Sequence, residues 1–174
     1  MDDRDLIAQF LASRDEAQFR LLYRRHASAL YPLLRRLLAG RGAEVDDAYQ
    51  ECWVRIVERL PRYEGRGSFR AWCAGIALNC AREAQRRPRL GPLLHEPVDA
   101  AAAGAAQAAG RLDVQAALAE LAQGYREVIV LHDLHGHTHP EVAALLGIST
   151  GTSKSQLSRA RHALRQLIGE DHAR

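Results

Sequence analysis

The sequence is poor in aromatic residues, lysine and long apolar runs. Aromatic side chains make up 6% of the 174 residues, and Lys154 is the only lysine among 24 lysines and arginines. No apolar stretch approaches the ~20 residues that a helix needs to cross a bilayer, and we identify no signal peptide. These absences argue against membrane and secreted proteins, so we expect a cytoplasmic protein.

The chain also lacks the patterns of metal, redox and catalytic sites. Its three cysteines, Cys52, Cys73 and Cys80, follow no zinc-binding or thioredoxin-like spacing, and we expect them to be buried free thiols. We find no nucleophile motif, phosphate-binding glycine loop or pair of catalytic carboxylates. The sequence therefore predicts a protein that is not an enzyme and that needs no cofactor or metal.

Alternating strand patterns are nearly absent, whereas apolar residues recur at helical spacing along most of the chain. One long helical run extends from Phe10 to Leu38, where Pro32 is expected to kink the helix or to begin a second segment. The further predicted helices are 45–60, 68–87, 111–123, 125–135, 139–146 and 150–168. The expected fold class is therefore all-α.

A change of composition divides the predicted helices into two groups. Residues 91–110 combine proline and glycine with an alanine-rich tract, which is typical of a linker. We therefore predict two small helical domains, 1–90 and 111–174, joined by a flexible connection.

The second domain contains the pattern of a helix-turn-helix. Thr138 and Glu141 form a capping-box signature, and Gly147 permits a tight turn before the next helix. The N-terminal half of such a second helix enters the major groove of DNA. Residues 150–168 contain four basic residues and no acid, which favours contact with phosphates. The candidate DNA contacts on this helix are Thr152, Lys154, Ser155, Ser158, Arg159 and Arg161.

The first domain carries a second basic region. A glycine-containing loop at 61–68 leads into a helix on which Asn79, Arg82 and Arg86 fall within a narrow arc at 100° per residue. An asparagine at such a position can read a base edge, while arginines can hold phosphates. Unpaired bases are bound by mobile, positively charged segments of this kind. The candidate contacts in this region are Arg62, Arg66, Ser68, Arg70, Asn79, Arg82 and Arg86.

Together these motifs resemble the extracytoplasmic-function group of bacterial sigma factors. The segment Asp47-Ala48-Tyr49-Gln50-Glu51-Cys52-Trp53 is similar to a pattern in sigma region 2, and the loop over 62–72 is similar to region 2.3. The helix-turn-helix is similar to region 4. The resemblance implies an RNA polymerase sigma factor that recognises −35 and −10 promoter elements and helps to melt DNA.

The same resemblance implies particular partners and contact surfaces. The acidic helix would bind the β′ clamp helices of core RNA polymerase through Asp46, Asp47, Gln50 and Glu51. The other implied partners are the β flap, promoter DNA and an anti-sigma factor. The loop and α-helix after it would contact the −10 element, and the helix-turn-helix would contact the −35 element.

Two other interpretations remain open at this point. The chain could be a stand-alone helix-turn-helix regulator whose first domain senses a ligand or dimerises. It could also respond to metal through the histidines of the segment 132–139, because imidazole clusters can bind nickel, zinc or copper. Three positions depart from the sigma pattern: Thr150 replaces an acid, Ser153 an apolar residue and Gln156 a basic residue.

Overall fold

A computed structural model describes residues 2–88 and 114–171, and all regular structure within those two ranges is helical. The expected all-α fold is confirmed, while the predicted linker, 91–110, lies outside the described residues. No helix within the two ranges is long and apolar enough to span a membrane. The helices are α1 (Asp3–Ser13), α2 (Glu16–Leu37), α3 (Val45–Arg59), α4 (Phe69–Arg86), α5 (114–120), α6 (Gln123–Ile129), α7 (His139–Leu146) and α8 (Thr150–Asp171).

Local capping signals locate several of these helix ends. The Ser68 hydroxyl accepts a hydrogen bond from the Ala71 amide at 3.1 Å and begins α4. Thr138 and Glu141 form the predicted capping box of α7, and Gly147 ends that helix with a φ of 70°. Helix α6 continues as a π-helical segment over Val130–Leu134.

The predicted continuous run from Phe10 to Leu38 is wrong in its first part. Arg14 takes a left-handed conformation with a φ of 55°, which ends α1. Asp15 then caps α2 by accepting a hydrogen bond from the Ala17 amide at 2.9 Å. Helix α2 runs unbroken through Pro32.

Helices α2, α3 and α4 enclose the core of the N-terminal half. Leu34, Ile56 and Ala77 are fully buried there. The three cysteines are free thiols on the buried faces of α3 and α4, as predicted. Burial raises the pKa of the Cys73 thiol above its ordinary value, so this thiol stays protonated.

The C-terminal half is built around the helix-turn-helix, and it packs directly against the N-terminal half. Val128 on α6, Val142 on α7 and Leu157 on α8 form its centre. Across the boundary, α7 approaches α4 so closely that a Cβ at Gly75 would lie 3.2 Å from Leu145 Cδ2. Nearly all of the described buried apolar residues, from both halves, belong to one continuous cluster.

Polar contacts to backbone carbonyls reinforce this boundary. Arg126 donates from Nη2 to the carbonyls of Ala119 and Leu121 in its own half, at 3.1 and 3.0 Å. Its Nη1 donates to the carbonyls of Leu37 and Ala39 at 3.3 and 3.4 Å. One guanidinium group therefore joins the end of α2 to the start of the helix-turn-helix domain.

A buried histidine lies at the same boundary. His135 Nε2 is 2.9 Å from Arg36 Nη1, and the His135 carbonyl accepts a hydrogen bond from Arg70. Burial, followed by the charges of Arg36 and Arg70, lowers the pKa of His135 to about 4. The imidazole is therefore neutral in the folded protein and can accept the Arg36 hydrogen bond.

We predict that this histidine makes folding pH-dependent in mildly acidic solution. Because the pKa of His135 is depressed from 6.5 to about 4, unfolding exposes a group that takes up a proton as pH falls below 6.5. Its contribution to stability is complete above that value and is lost progressively as pH falls towards 4. Chemical denaturation between pH 4.5 and 7.5 should show a shallower dependence in His135→Gln than in the wild type.

The exposed His162 provides a matched control for that measurement. His162→Gln removes an imidazole from the surface and should leave the pH dependence of unfolding unchanged. Identical pH profiles for His135→Gln and the wild type would contradict the prediction.

Candidate nucleic-acid interface

The outer face of α8 presents most of the predicted −35 contacts to solvent. The Ser149 hydroxyl accepts a hydrogen bond from the Thr152 amide at 3.0 Å and caps the helix. Lys154, Ser155, Ser158 and Arg159 are exposed along the first three turns. Thr152 is half-buried, and its hydroxyl lies 2.8 Å from that of Ser149. The four exposed side chains suit the groove-facing surface of a helix-turn-helix.

Ser153, which departs from the sigma pattern, is buried where α7 crosses α8. Its exposed fraction is 0%, and its Oγ lies 3.0 Å from His139 Nδ1. A hydroxyl that loses water without gaining a partner destabilises a protein by about 1–3 kcal/mol. His139 supplies that partner, so the polar substitution fits at this crossing.

Arg161, also predicted to contact DNA, is paired within the C-terminal half. It donates from Nε and Nη2 to the two carboxylate oxygens of Asp133, at 2.7 and 2.6 Å. The carboxylate raises the pKa of Arg161, and Arg161 in turn lowers the pKa of Asp133. The arginine is 49% exposed, so the part of its guanidinium away from Asp133 faces solvent.

The predicted −10 contacts form two groups in the structure. Arg62, Arg66, Asn79 and Arg86 are exposed. The loop before α4 has positive φ angles of 71° at Gly65 and 75° at Gly67, a conformation that glycine adopts without strain. Its carbonyl at Gly65 accepts a hydrogen bond from Arg4 at 2.5 Å.

The second group, Ser68, Arg70 and Arg82, makes polar contacts with the C-terminal half. Arg82 donates from Nε and Nη2 to the two carboxylate oxygens of Glu127, at 2.8 and 2.7 Å. Glu127 is only 4% exposed, and it raises the pKa of Arg82. Arg70 donates to the His135 carbonyl, and Ser68 Oγ lies 3.4 Å from Glu141. Sequence patterns singled out Ser68, Arg70 and Arg82 but missed Glu127, because it lies 45 positions from Arg82 in the sequence.

The predicted polymerase-binding residues share one exposed face of α3. Asp46, Asp47, Gln50 and Glu51 are all exposed. Asp46 accepts a hydrogen bond from the Tyr31 hydroxyl at 2.9 Å, and Glu51 accepts one from Arg55 Nε at 2.6 Å. The structure therefore brings the four side chains onto one surface, with two of them already fixed by neighbours.

The histidines of the segment 132–139 do not converge on one point. His135 and His137 are buried, whereas the rings of His132 and His139 stack with their centroids 4.3 Å apart. Within the ranges that the structure describes, no group of three or more histidine, cysteine or acidic side chains could hold a metal ion.

The fold and these surfaces define a class of protein: a helical DNA-binding protein with a helix-turn-helix beside a second basic helical domain. Comparison with protein families identifies the class more closely. Residues 22–90 match the family model described as Sigma-70 region 2. Residues 111–164 match the model described as Sigma-70, region 4.

Curated relatives cover nearly the full chain. SigM of Mycobacterium tuberculosis, an ECF RNA polymerase sigma factor, is 33% identical over 96% of this chain and 85% of its own. The RNA polymerase sigma factor CarQ of Myxococcus xanthus is 32% identical over 90% of this chain and 94% of its own. The RNA polymerase sigma factor CnrH of Cupriavidus metallidurans is 34% identical over 97% of this chain and 95% of its own.

Solved structures agree with these matches. CnrH in complex with the cytosolic domain of CnrY superposes with a TM-score of 0.75 and 32% identity, over 97% of this chain and 98% of CnrH. The sigma factor RpoE of Bartonella quintana, in complex with the anti-sigma factor NepR, has the same fold at a TM-score of 0.67 and 24% identity. The superposition with RpoE covers 87% of this chain and 96% of the RpoE chain.

The chain therefore belongs to the extracytoplasmic-function group of the sigma-70 family. It is an RNA polymerase sigma factor, and the stand-alone and metal-responsive interpretations are not favoured.

We predict that Glu127→Gln loosens the boundary between the two halves. The substitution removes the charge that balances Arg82 but keeps the side-chain shape. Breaking a fully buried ion pair costs ~3–5 kcal/mol; because Arg82 is partly exposed, we expect a loss of roughly 1–2 kcal/mol in the free energy of unfolding. Small-angle scattering should also show a larger radius of gyration.

Glu120 offers a control with the same charge change at an exposed position. Glu120→Gln should leave both stability and radius of gyration unchanged. If the two variants behave alike, Arg82–Glu127 does not hold the halves together.

Proposed function

We propose that this sigma factor uses α8 for the −35 element, the loop over 62–68 with α4 for the −10 element, and α3 for core polymerase. The −35 contacts are Thr152, Lys154, Ser155, Ser158, Arg159 and Arg161. The −10 contacts are Arg62, Arg66, Ser68, Arg70, Asn79, Arg82 and Arg86. Asp46, Asp47, Gln50 and Glu51 bind the β′ clamp helices, and the C-terminal domain binds the β flap. The protein acts in the cytoplasm and is itself not catalytic.

The observation that carries this proposal is the placement of acidic and basic surfaces on separate helices. The exposed face of α3 has acids at Asp46, Asp47 and Glu51, whereas the exposed face of α8 has Lys154 and Arg159. Complementary charge guides association and aligns the correct surfaces. An acidic surface suits a basic polymerase element, and a basic helix suits DNA phosphates.

Promoter binding requires the two halves to separate. Ser68, Arg70 and Arg82 face Glu141, His135 and Glu127 in the closed arrangement. These contacts occupy the same donors that we assign to the −10 strand. Core polymerase and DNA must therefore replace the contacts with the C-terminal half.

A protein partner can regulate the separation of the two halves. The relative CnrH was solved in complex with the cytosolic domain of CnrY. By that likeness we propose that an anti-sigma factor binds this chain and keeps it from polymerase.

A reconstitution tests the proposed function directly. The purified chain is mixed with sigma-free core polymerase, passed over a sizing column, and then used for transcription from a fragment library. Co-migration with discrete transcripts is the expected result. Failure to co-migrate, with duplex DNA still bound by the chain alone, would instead indicate a stand-alone regulator.

We predict that two sets of substitutions separate the two binding activities. Arg159→Ala removes a charge from α8 and should weaken −35-dependent promoter binding roughly tenfold, as expected for a base or phosphate contact worth ~1–3 kcal/mol. Asp47→Ala with Gln50→Ala should instead weaken core polymerase binding. Both affinities are measured for each variant, by filter binding for DNA and by titration with labelled chain for polymerase.

Each variant serves as the control for the other, since all three side chains are exposed and their removal should not unfold the protein. Loss of polymerase binding in Arg159→Ala would refute the assignment of α8. Unchanged polymerase affinity in the double variant would refute the assignment of α3.

A further inference from the structure

His132 and His139 belong to a connected row of side chains that packs against α8, the helix assigned to DNA. His132 lies in the π-helical segment and His139 is the first residue of α7. Their rings are nearly parallel, with 29° between the planes.

One end of this row of side chains contacts the first turn of α8. His139 Nδ1 is 3.0 Å from the buried hydroxyl of Ser153. Burial, together with the positive charges of Lys154 and Arg161, lowers the pKa of His139. A neutral imidazole can accept a hydrogen bond from the serine hydroxyl and can stack on its neighbour without charge repulsion.

The other end reaches α8 two turns later. His132 Nδ1 is 2.8 Å from Asp133 Oδ1, and both oxygens of Asp133 accept hydrogen bonds from Arg161. Ser153 and Arg161 are eight residues apart, which is ~12 Å along a helix. The side chains therefore hold α8 at two separate points.

The Asp133 pairing changes what Arg161 can offer to DNA. An unpaired arginine on a flexible stem binds any phosphate within reach, which adds affinity but no sequence information. Here Nε and one hydrogen of Nη2 are used by the carboxylate, and the charge is largely balanced. The remaining hydrogens lie on the side of the guanidinium away from Asp133, and the two hydrogen bonds to the carboxylate restrict how this group can rotate. Two parallel donors held in this way match the O6 and N7 acceptors of guanine.

We propose that Asp133 is a specificity-determining residue of the −35 contact, and that His132, His139 and Ser153 are positioning residues that hold it and α8 in register. The proposal rests on the assignment of α8 to the −35 element. It predicts that Asp133 suppresses indiscriminate DNA binding by Arg161 while it improves the choice of sequence.

The decisive variant is Asp133→Asn, because it affects the two properties in opposite directions. With the chain alone on an unrelated duplex, the freed Arg161 should raise affinity and steepen the slope of log affinity against log salt by about 1. With the polymerase holoenzyme, the preference for the selected −35 sequence over a variant with its guanines replaced should fall roughly tenfold.

Two controls link these effects to Arg161. Asp133→Asn combined with Arg161→Ala should behave like Arg161→Ala alone, because the aspartate acts through that arginine. Glu120→Gln makes the same charge change at an exposed site outside α8 and should alter neither property. Polymerase binding should be the same in all of these variants.

A purely structural role for Asp133 would lower binding to both duplexes in proportion, and that result would overturn the proposal. So would unchanged affinity and salt slope on the unrelated duplex, whatever the polymerase measurement shows. If the unrelated duplex responds as expected but the wild-type chain forms no holoenzyme, the sigma assignment fails and the restraint of Arg161 by Asp133 still holds.

The histidines are tested by rescue. His139→Ala removes both the stack and the partner of Ser153, and should reduce −35 discrimination. His139→Phe with Ser153→Val keeps a stacked ring and replaces the hydrogen bond by apolar contact, so it should restore discrimination. Wild-type discrimination in His139→Ala would remove the histidines from the proposal.

Discussion

A guanidinium group that leaves water keeps its charge, so it must find acceptors elsewhere in the protein. Arg82 finds them in Glu127, which is itself buried and also accepts a hydrogen bond from Gln123 at 2.9 Å. Arg126 finds them in backbone carbonyls of both halves. The contact between the halves depends on these pairings, because the apolar surface between α4 and α7 could not be buried beside unpaired charges.

The same requirement connects the closed arrangement to promoter binding. DNA phosphates offer arginine the kind of acceptor that Glu127 offers, a pair of anionic oxygens that accept a forked donor. Exchange of one for the other therefore keeps the charge of Arg82 paired, and separation of the halves returns the carboxylate of Glu127 to water. An arginine at this position can pair with Glu127 in the free protein and with a DNA phosphate in the bound protein. A lysine would do so less well, because it lacks the planar fork of donors.

Local signals allowed the sequence to predict most helices and the general character of both surfaces. Ser68, Thr138 and Gly147 determine helix ends through contacts within a few residues, so their roles can be read without a structure. Arg14 escaped notice because a left-handed arginine has no sequence signature. The pairing of Arg82 with Glu127 escaped for a different reason: it joins residues 45 positions apart and follows from packing. Sequence patterns therefore singled out these arginines but could not tell which of them are already paired within the protein.

The histidine motif shows why spacing alone is a weak guide to chemistry. Four imidazoles within eight residues suggest a shared ligand, yet the π-helical segment and the turn before α7 direct them apart. His135 and His137 turn inward, where burial keeps them neutral, while His132 and His139 turn towards α8. A neutral imidazole at the crossing of α7 and α8 makes a buried serine acceptable at position 153, where the sigma pattern has an apolar residue. The histidine on α7 and the serine on α8 thus form one hydrogen-bonded pair, and the buried serine can be understood only through its partner.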